Sequence, residues 1–248
     1  MTDELTGRIG IVTGASSGIG YAIADALAQR GATVYALSRT GAPKADLPSS
    51  ADGVIHVGVN VTDYVAVAGL FEKITGGGAL DFLVNNAGRT MKTRAEDFPE
   101  DEFRAIVELN VTSPFRLSQL AYPYLRKSEH RGRIITISSM AAHLGFSEVV
   151  PYSVSKSAVL GLTRGLAVEW AQDNICVNSI APGWFPSEMS KQVMTPEREA
   201  AILGRMPVHA FGEVADLGEM TAFLVGDGAR YITGQDFAVD GGALAYGF

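Results

Sequence analysis

Short runs of aliphatic and β-branched residues alternate along the chain with longer stretches of helical period. The runs fall at residues 8–13, 33–37, 54–57, 81–85, 133–137, 175–180 and 236–239. Most are nearly continuous in apolar character, which suits strands buried on both faces rather than one. Between them, residues 18–29, 103–125, 154–170 and 214–225 place apolar side chains at helical spacing and predict amphipathic helices. Strand and helix in steady alternation predict an α/β fold: a parallel sheet of about seven strands with helices on both faces. No linker divides the chain, so residues 1–248 read as a single domain.

Two stretches break the alternation. Residues 40–53 hold two prolines and two glycines, too many for a full crossover helix. Residues 182–207 carry Trp184 and Phe185 among further prolines, methionines and polar residues. A long irregular stretch in a compact domain predicts a functional loop or lid.

Composition narrows the function. Hydrophobic residues make up 47% of the chain and charged residues 19%, an ordinary globular balance. The single cysteine, Cys176, can form neither an internal disulfide nor a cysteine-based metal cage, and no metal site is expected. A net charge of −7 weighs against nucleic-acid binding, which needs a basic footprint. No apolar run reaches the length of a membrane span, and the acidic N-terminus is unlike a signal peptide, so a cytoplasmic protein is expected. Glycine is the one high count, at 28 residues.

Part of that glycine sits at one functional place. The strand over 8–13 runs into Gly14-Ala15-Ser16-Ser17-Gly18-Ile19-Gly20, and a helix follows. Strand, glycine turn and helix form the setting of a nucleotide-binding loop, with Gly14 turning tightly, Gly18 admitting a pyrophosphate and Gly20 allowing close helix packing. The helix N-terminus offers free N–H groups to the phosphates. At the end of the second strand stand Ser38, Arg39 and Thr40, with no carboxylate to hold a ribose 2′-hydroxyl. Arg39 is a permanent cation suited to a 2′-phosphate, which favours NADP over NAD.

Tyr152 and Lys156 lie four residues apart, one turn along a predicted helix. A nearby ammonium lowers the pKa of a phenol and makes it a usable acid/base. Ser139 follows the fifth strand, Asn85-Asn86-Ala87-Gly88 follows the fourth, and Asn110 lies within a helical stretch where asparagine is locally unfavourable. Thr13-Gly14-x3-Gly18-x-Gly20, Asn85-Asn86-Ala87-Gly88, Asn110, Ser139, Tyr152-x3-Lys156 and Pro182-Gly183 together resemble the short-chain dehydrogenases/reductases in order and spacing, over residues 5–243.

The resemblance implies a doubly wound Rossmann-type fold and hydride transfer between NADP(H) and a secondary alcohol or ketone. It implies that Tyr152 moves the substrate proton and that Ser139 orients the carbonyl oxygen. Lys156 would lower the Tyr152 pKa and hold the nicotinamide ribose, and Asn110 would anchor a relay water. Gly14, Ser16, Ser17, Gly18, Ile19 and Gly20 would cradle the pyrophosphate. Asn60, Val61, Asn86, Ala87 and Gly88 would line the adenosine, and Pro182, Gly183 and Trp184 would pass beside the nicotinamide. Helix 154–170 and the helix around Asn110 form subunit interfaces in many relatives, so a homotetramer is implied. Asn60 stands where many relatives carry aspartate; its side-chain oxygen is expected to accept the adenine amino group instead. The substrate is expected to be a small-molecule ketone or alcohol touching His143, Glu148, Trp184, Phe185 and Met189, besides Ser139 and Tyr152. An NAD-dependent sugar or polyol dehydrogenase, and a non-catalytic nucleotide-binding protein, are the alternatives.

Overall fold

In a computed structural model, which describes residues 4–186 and 195–246, all seven predicted strands form one sheet. They are β1 (Ile9–Thr13), β2 (Thr33–Ser38), β3 (Val54–Gly58), β4 (Phe82–Asn85), β5 (Gly132–Ile137), β6 (Ile175–Pro182) and β7 (Asp236–Val239). Every neighbouring pair is parallel, in the order β3-β2-β1-β4-β5-β6-β7. The chain winds outward from β1 to β3, then returns to lay β4 on the other side of β1. That reversal opens a crevice between the loops after β1 and β4, the usual ligand position in an open α/β sheet.

The helices are α1 (Gly18–Ala28), α2 (Tyr64–Thr75), α3 (Glu100–Val107), α4 (Ser113–Leu125), α5 (Val150–Trp170), α6 (Pro196–Leu203) and α7 (Val214–Val225). Side chains alternate across each strand, and β1 shows the result: Val12 enters the layer beneath α1 and α7, with Ile23, Leu27, Leu217 and Leu224. Its neighbour Ile11 enters the opposite layer, with Phe71 of α2, Leu117 and Leu125 of α4 and Leu166 of α5. Each such fully buried aliphatic side chain contributes about 1.5–3 kcal/mol, so the two layers hold the sheet from both sides.

The structure departs from the sequence reading in three places. Helix α2 was not anticipated. Asp63 caps its start, accepting from Ala66 N at 3.0 Å, and Gly76 ends it in the left-handed region at φ 57°. The long helix expected over 103–125 is two helices joined by a π turn at Glu108–Thr112. Within the late irregular stretch lies the short helix α6. Residues 40–53 contain turns and no helix, as expected.

At the N-terminal end of the sheet two arginines are buried. Arg8 donates to Val225 O at 2.6 Å and to Asp227 Oδ1 at 2.7 Å, and Arg133 donates to Gly226 O at 3.2 Å. They satisfy carbonyls at the end of α7, where the helix dipole favours a cation. No helix among the described residues is long and apolar enough to cross a membrane.

Candidate active site

The glycine loop, Ser38, Asn86, Ser139 and Gly183 all follow or end strands at the same edge of the sheet, the C-terminal edge. Gly14 has φ 67°, and a Cβ there would stand 2.8 Å from Ala87 Cα. Gly20 is equally constrained: its Cβ would meet Asn86 Nδ2 at 2.4 Å and Gly14 O at 2.5 Å. Gly18 differs. Its φ is 56°, yet nothing lies within 4 Å of a Cβ built there. Ser17, the residue before α1, makes no side-chain cap, so the first N–H groups of α1 are left for another acceptor. Open space beside Gly18 and an uncapped helix start fit a phosphate.

Asn86 supports this loop. Its Nδ2 donates to Thr13 O at 2.9 Å and Gly14 O at 3.2 Å. The Thr13 hydroxyl accepts from the backbone N–H of both Asn86 and Ala87 at 3.0 Å. The Asn86 side chain therefore stitches β4 to the glycine loop. Ser38 is buried and accepts from Gly41 N at 3.1 Å, which folds the chain back after β2. Arg39 is exposed and has no ion-pair or hydrogen-bond partner among the described residues. Asn60 Oδ1 accepts from Thr62 N at 3.3 Å and from Thr62 Oγ1 at 3.0 Å. Val61 is buried, and its carbonyl accepts from Ser113.

The predicted catalytic set comes together on α5, the π turn and the loop after β5. Ser139 starts a 3-10 turn, Met140–Ala142, and its Oγ accepts from Ala141 N at 3.1 Å. Burial pushes the Tyr152 phenol above its ordinary value, and the neighbouring Ser139 hydroxyl offsets part of that. Lys156 is 5% exposed, donates to Ile137 O at 2.7 Å and sits 5.6 Å from the centre of the Tyr152 ring. Burial lowers its pKa to about 8. Asn110 is buried in the π turn, a local form common at functional sites. Its amide donates to Ser155 Oγ at 3.0 Å and to Arg89 O at 2.9 Å, and its Oδ1 accepts from Arg89 N at 2.9 Å. One side chain thus fixes α5 and the loop after β4 together.

The expected substrate residues divide. Trp184 is half-buried and meets Phe146 edge-on at 6.4 Å, beside the site. Glu148, at φ 67°, pairs with Lys92 at 2.9 Å, and its carbonyl accepts from Thr93 N at 2.9 Å, tying two loops together. Phe185 packs on the hydrophobic core and against Gly212, where a Cβ would stand 2.4 Å from the ring. His143 is also committed elsewhere, its Nε2 2.7 Å from Asp236 Oδ2. Gly183 is required by packing, since a Cβ would lie 2.5 Å from Asp240 Cα. Met189 lies outside the described residues, as does the middle of the expected 182–207 lid. No cluster of metal-ligating side chains occurs among the described residues.

Sequence reasoning missed Thr13, Ser155 and Asp236. Their partners lie 73, 45 and 93 positions away, so no local pattern marks them.

Residues 14–243 match a family model described as enoyl-(acyl carrier protein) reductase. The chain is 38% identical over 241 residues to the 3-oxoacyl-[acyl-carrier-protein] reductase of Escherichia coli (strain K12), covering 95% of this chain and 97% of the relative. The chain belongs to the short-chain dehydrogenase/reductase family. Among its fellow members it is 37% identical over 250 residues to the 2-dehydro-3-deoxy-D-gluconate 5-dehydrogenase of Bacillus subtilis (strain 168), covering 98% of this chain and 96% of the relative. A gluconate 5-dehydrogenase from Burkholderia cenocepacia J2315, solved with NADP and tartrate, superposes with a TM-score of 0.87 at 27% identity, covering 98% and 97% of the two chains. The protein is therefore an oxidoreductase of the type that acts on alcohol and ketone groups.

Proposed function

We propose that this short-chain dehydrogenase/reductase reduces a ketone, or oxidises the matching secondary alcohol, with NADP(H), using Tyr152 as the general acid/base. The observation that carries the reading is the meeting of Tyr152, Ser139 and Lys156 at the strand ends that also bear the glycine loop. The open cradle at Gly18, the uncapped α1 and the unpartnered Arg39 fit a dinucleotide with a 2′-phosphate. Gly14, Ser16, Ser17, Gly18, Ile19 and Gly20 would hold its pyrophosphate. Ser38, Arg39 and Thr40 would hold the 2′-phosphate, and Ala87, Gly88, Pro182, Gly183 and Trp184 would flank the rest. Its nicotinamide supplies or accepts the hydride when bound.

The protein's own part is orientation and proton movement. With its pKa raised, Tyr152 carries its proton at neutral pH and suits donation to a developing alkoxide in the reductive direction. Ser139 and Tyr152 converge as donors on one oxygen position, which stabilises charge forming there. Lys156, with a pKa of about 8, exchanges its proton readily near neutrality and suits a relay role behind Tyr152. Asn110 holds α5 against the loop after β4 and so fixes both sides of the site.

Relatives named for a 3-oxoacyl thioester and for sugar acids support a polar ketone as substrate. Lys92 and Glu148, paired on the loops that follow β4 and β5, would adjust to its polar groups. We also infer a homotetramer in the cytoplasm; Phe115 of α4 and Val154 and Val168 of α5 are exposed on helices that would form one interface. Light scattering at two concentrations and cell fractionation check those two points.

The test is turnover of ethyl acetoacetate and 5-keto-D-gluconate, followed by NADPH absorbance and in parallel with NADH. Tyr152→Phe should abolish turnover while cofactor fluorescence titration shows unchanged binding. Full turnover in Tyr152→Phe overturns the mechanism. Equal use of NADH would favour the NAD-dependent alternative; a related 7α-hydroxysteroid dehydrogenase is known with NADH.

A further inference from the structure

One carboxylate outside the proposed catalytic set grips the segment that carries Ser139 from both ends. Asp236 opens β7 and lies in register with Ser179 of β6. Its Oδ1 accepts from Ser138 Oγ at 2.7 Å and from Ser179 Oγ at 2.6 Å. Its Oδ2 is 2.7 Å from His143 Nε2. Ser138 and Ser179 are fully buried, and the Asp236 side chain is 13% exposed. An ionised carboxylate only accepts, and it offers room for all three donors. Ser138 Oγ also lies 2.9 Å from Ile180 O, which accepts from the Ser138 backbone N–H at 2.7 Å, so the one hydroxyl proton serves that carbonyl and the nearer carboxylate in turn. Bonds of this kind, from neutral donors to a charged acceptor in a dry setting, are among the stronger ones.

The placement gives these bonds a consequence. Ser138 immediately precedes Ser139, and His143 follows the 3-10 turn that Ser139 begins. Asp236 therefore pins the residue before Ser139 and the residue after the turn to a single point on β7. A further tie of this turn to the site is Ser157 Oγ donating to Ala142 O at 3.2 Å, from the helix of Tyr152 and Lys156. Ser139 Oγ itself accepts from Ala141 N, with the Tyr152 phenol its neighbour. The geometry points to Asp236 as a positioning residue: through Ser138 and His143 it sets where the Ser139 hydroxyl stands relative to Tyr152. His143 thereby acts as a strut at the end of the turn. This inference rests on the proposed role of Ser139.

A mutant cycle separates positioning from general support of the fold. Turnover of ethyl acetoacetate and 5-keto-D-gluconate with NADPH is measured in wild type, Asp236→Asn, Ser139→Ala and the double variant. Asparagine keeps the size of Asp236 but turns one acceptor into a donor, which faces either His143 or the serines. Because a displacement of about 1 Å at a reacting group can cost up to about 100-fold, Asp236→Asn should lower kcat about tenfold. The KM for NADPH should stay within about twofold. Adding Asp236→Asn to Ser139→Ala should cost nothing further, since the residue it positions is gone. If the full tenfold loss persists in the Ser139→Ala background, or if Asp236→Asn turns over like wild type, the positioning role is overturned. If instead Ser139→Ala alone keeps wild-type turnover, the catalytic reading has failed and the clamp falls with it, an outcome distinct from an additive cycle. Should Asp236→Asn not fold, His143→Gln, altered at a partly exposed ring, runs the same cycle with the same two outcomes.

Discussion

Replacing Lys156 by methionine should stabilise the ligand-free protein at neutral pH, even though the lysine belongs to the proposed active site. Lys156 is buried, and its pKa falls from 10.5 to about 8. Each unit is about 1.4 kcal/mol, so holding the charged ammonium inside costs the fold about 3 kcal/mol. Methionine of similar length removes that cost but orphans Ile137 O, which forfeits about 1 kcal/mol. Lys156→Met should therefore be more stable by about 2 kcal/mol at pH 7, or about 4–8 °C in Tm for a chain of this size. The sign follows from proton counting. Below pH 8 both folded and unfolded wild type carry the proton and the whole penalty is present. Between about pH 8 and 10.5 the folded state has released it while the unfolded state has not, so wild-type stability rises relative to the variant. Urea unfolding of both proteins at fixed concentration, from pH 7 to 10.5, reads the difference directly. It should shrink and reverse across that window. A difference that does not vary with pH, or a variant less stable at pH 7, refutes the reasoning.

Three further expectations concern other parts of the molecule. Arg39→Asp should shift the ratio of kcat/KM with NADPH to that with NADH at least tenfold toward NADH; an unchanged ratio removes Arg39 from cofactor choice. Gly20→Ala should cost about 2–3 kcal/mol by forcing a Cβ into Asn86 Nδ2 and Gly14 O, and a variant with wild-type Tm would mean that the loop yields freely. Asp227 is held below its ordinary pKa chiefly by its bond to Arg8. Its contribution, about 1 kcal/mol or less because the side chain is largely exposed, is present above the usual carboxylate range and is lost as pH falls through the lowered pKa. Asp227→Asn should therefore be less stable than wild type at pH 7 and indistinguishable from it in strong acid, as judged by denaturant midpoints.

The edge strands β3 and β7 are only partly buried, but most strands were legible because each is a compact apolar run, buried on both faces, whose signal does not depend on phase. Helix α2 was not, since Gly69 and its scattered polar positions dilute the helical period and its stability comes from Asp63, Gly76 and the burial of Val67 and Phe71. The π turn was invisible for a related reason: an apolar pattern can run on through one extra backbone step. In the site, Tyr152, Lys156, Ser139 and Asn110 could be picked out because their spacing along the chain is itself a pattern. Asp236 beside His143 and Gly212 beside Phe185 lie far off in sequence, so no local pattern announced those contacts.

The glycine loop separates two kinds of necessity within seven residues. Gly14 and Gly20 are demanded by the protein itself, because any side chain would strike Ala87, Asn86 or the loop's own carbonyl. Gly18 faces no such wall, and only its backbone angle speaks for glycine. A screen that selects for folded protein alone should therefore purge changes at Gly14 and Gly20 while letting Gly18→Asn survive, since asparagine tolerates that angle. A screen that selects for cofactor retention should reject all three. The difference between the two survivor lists would outline the phosphate's footprint on the chain, position by position, without a ligand ever being seen.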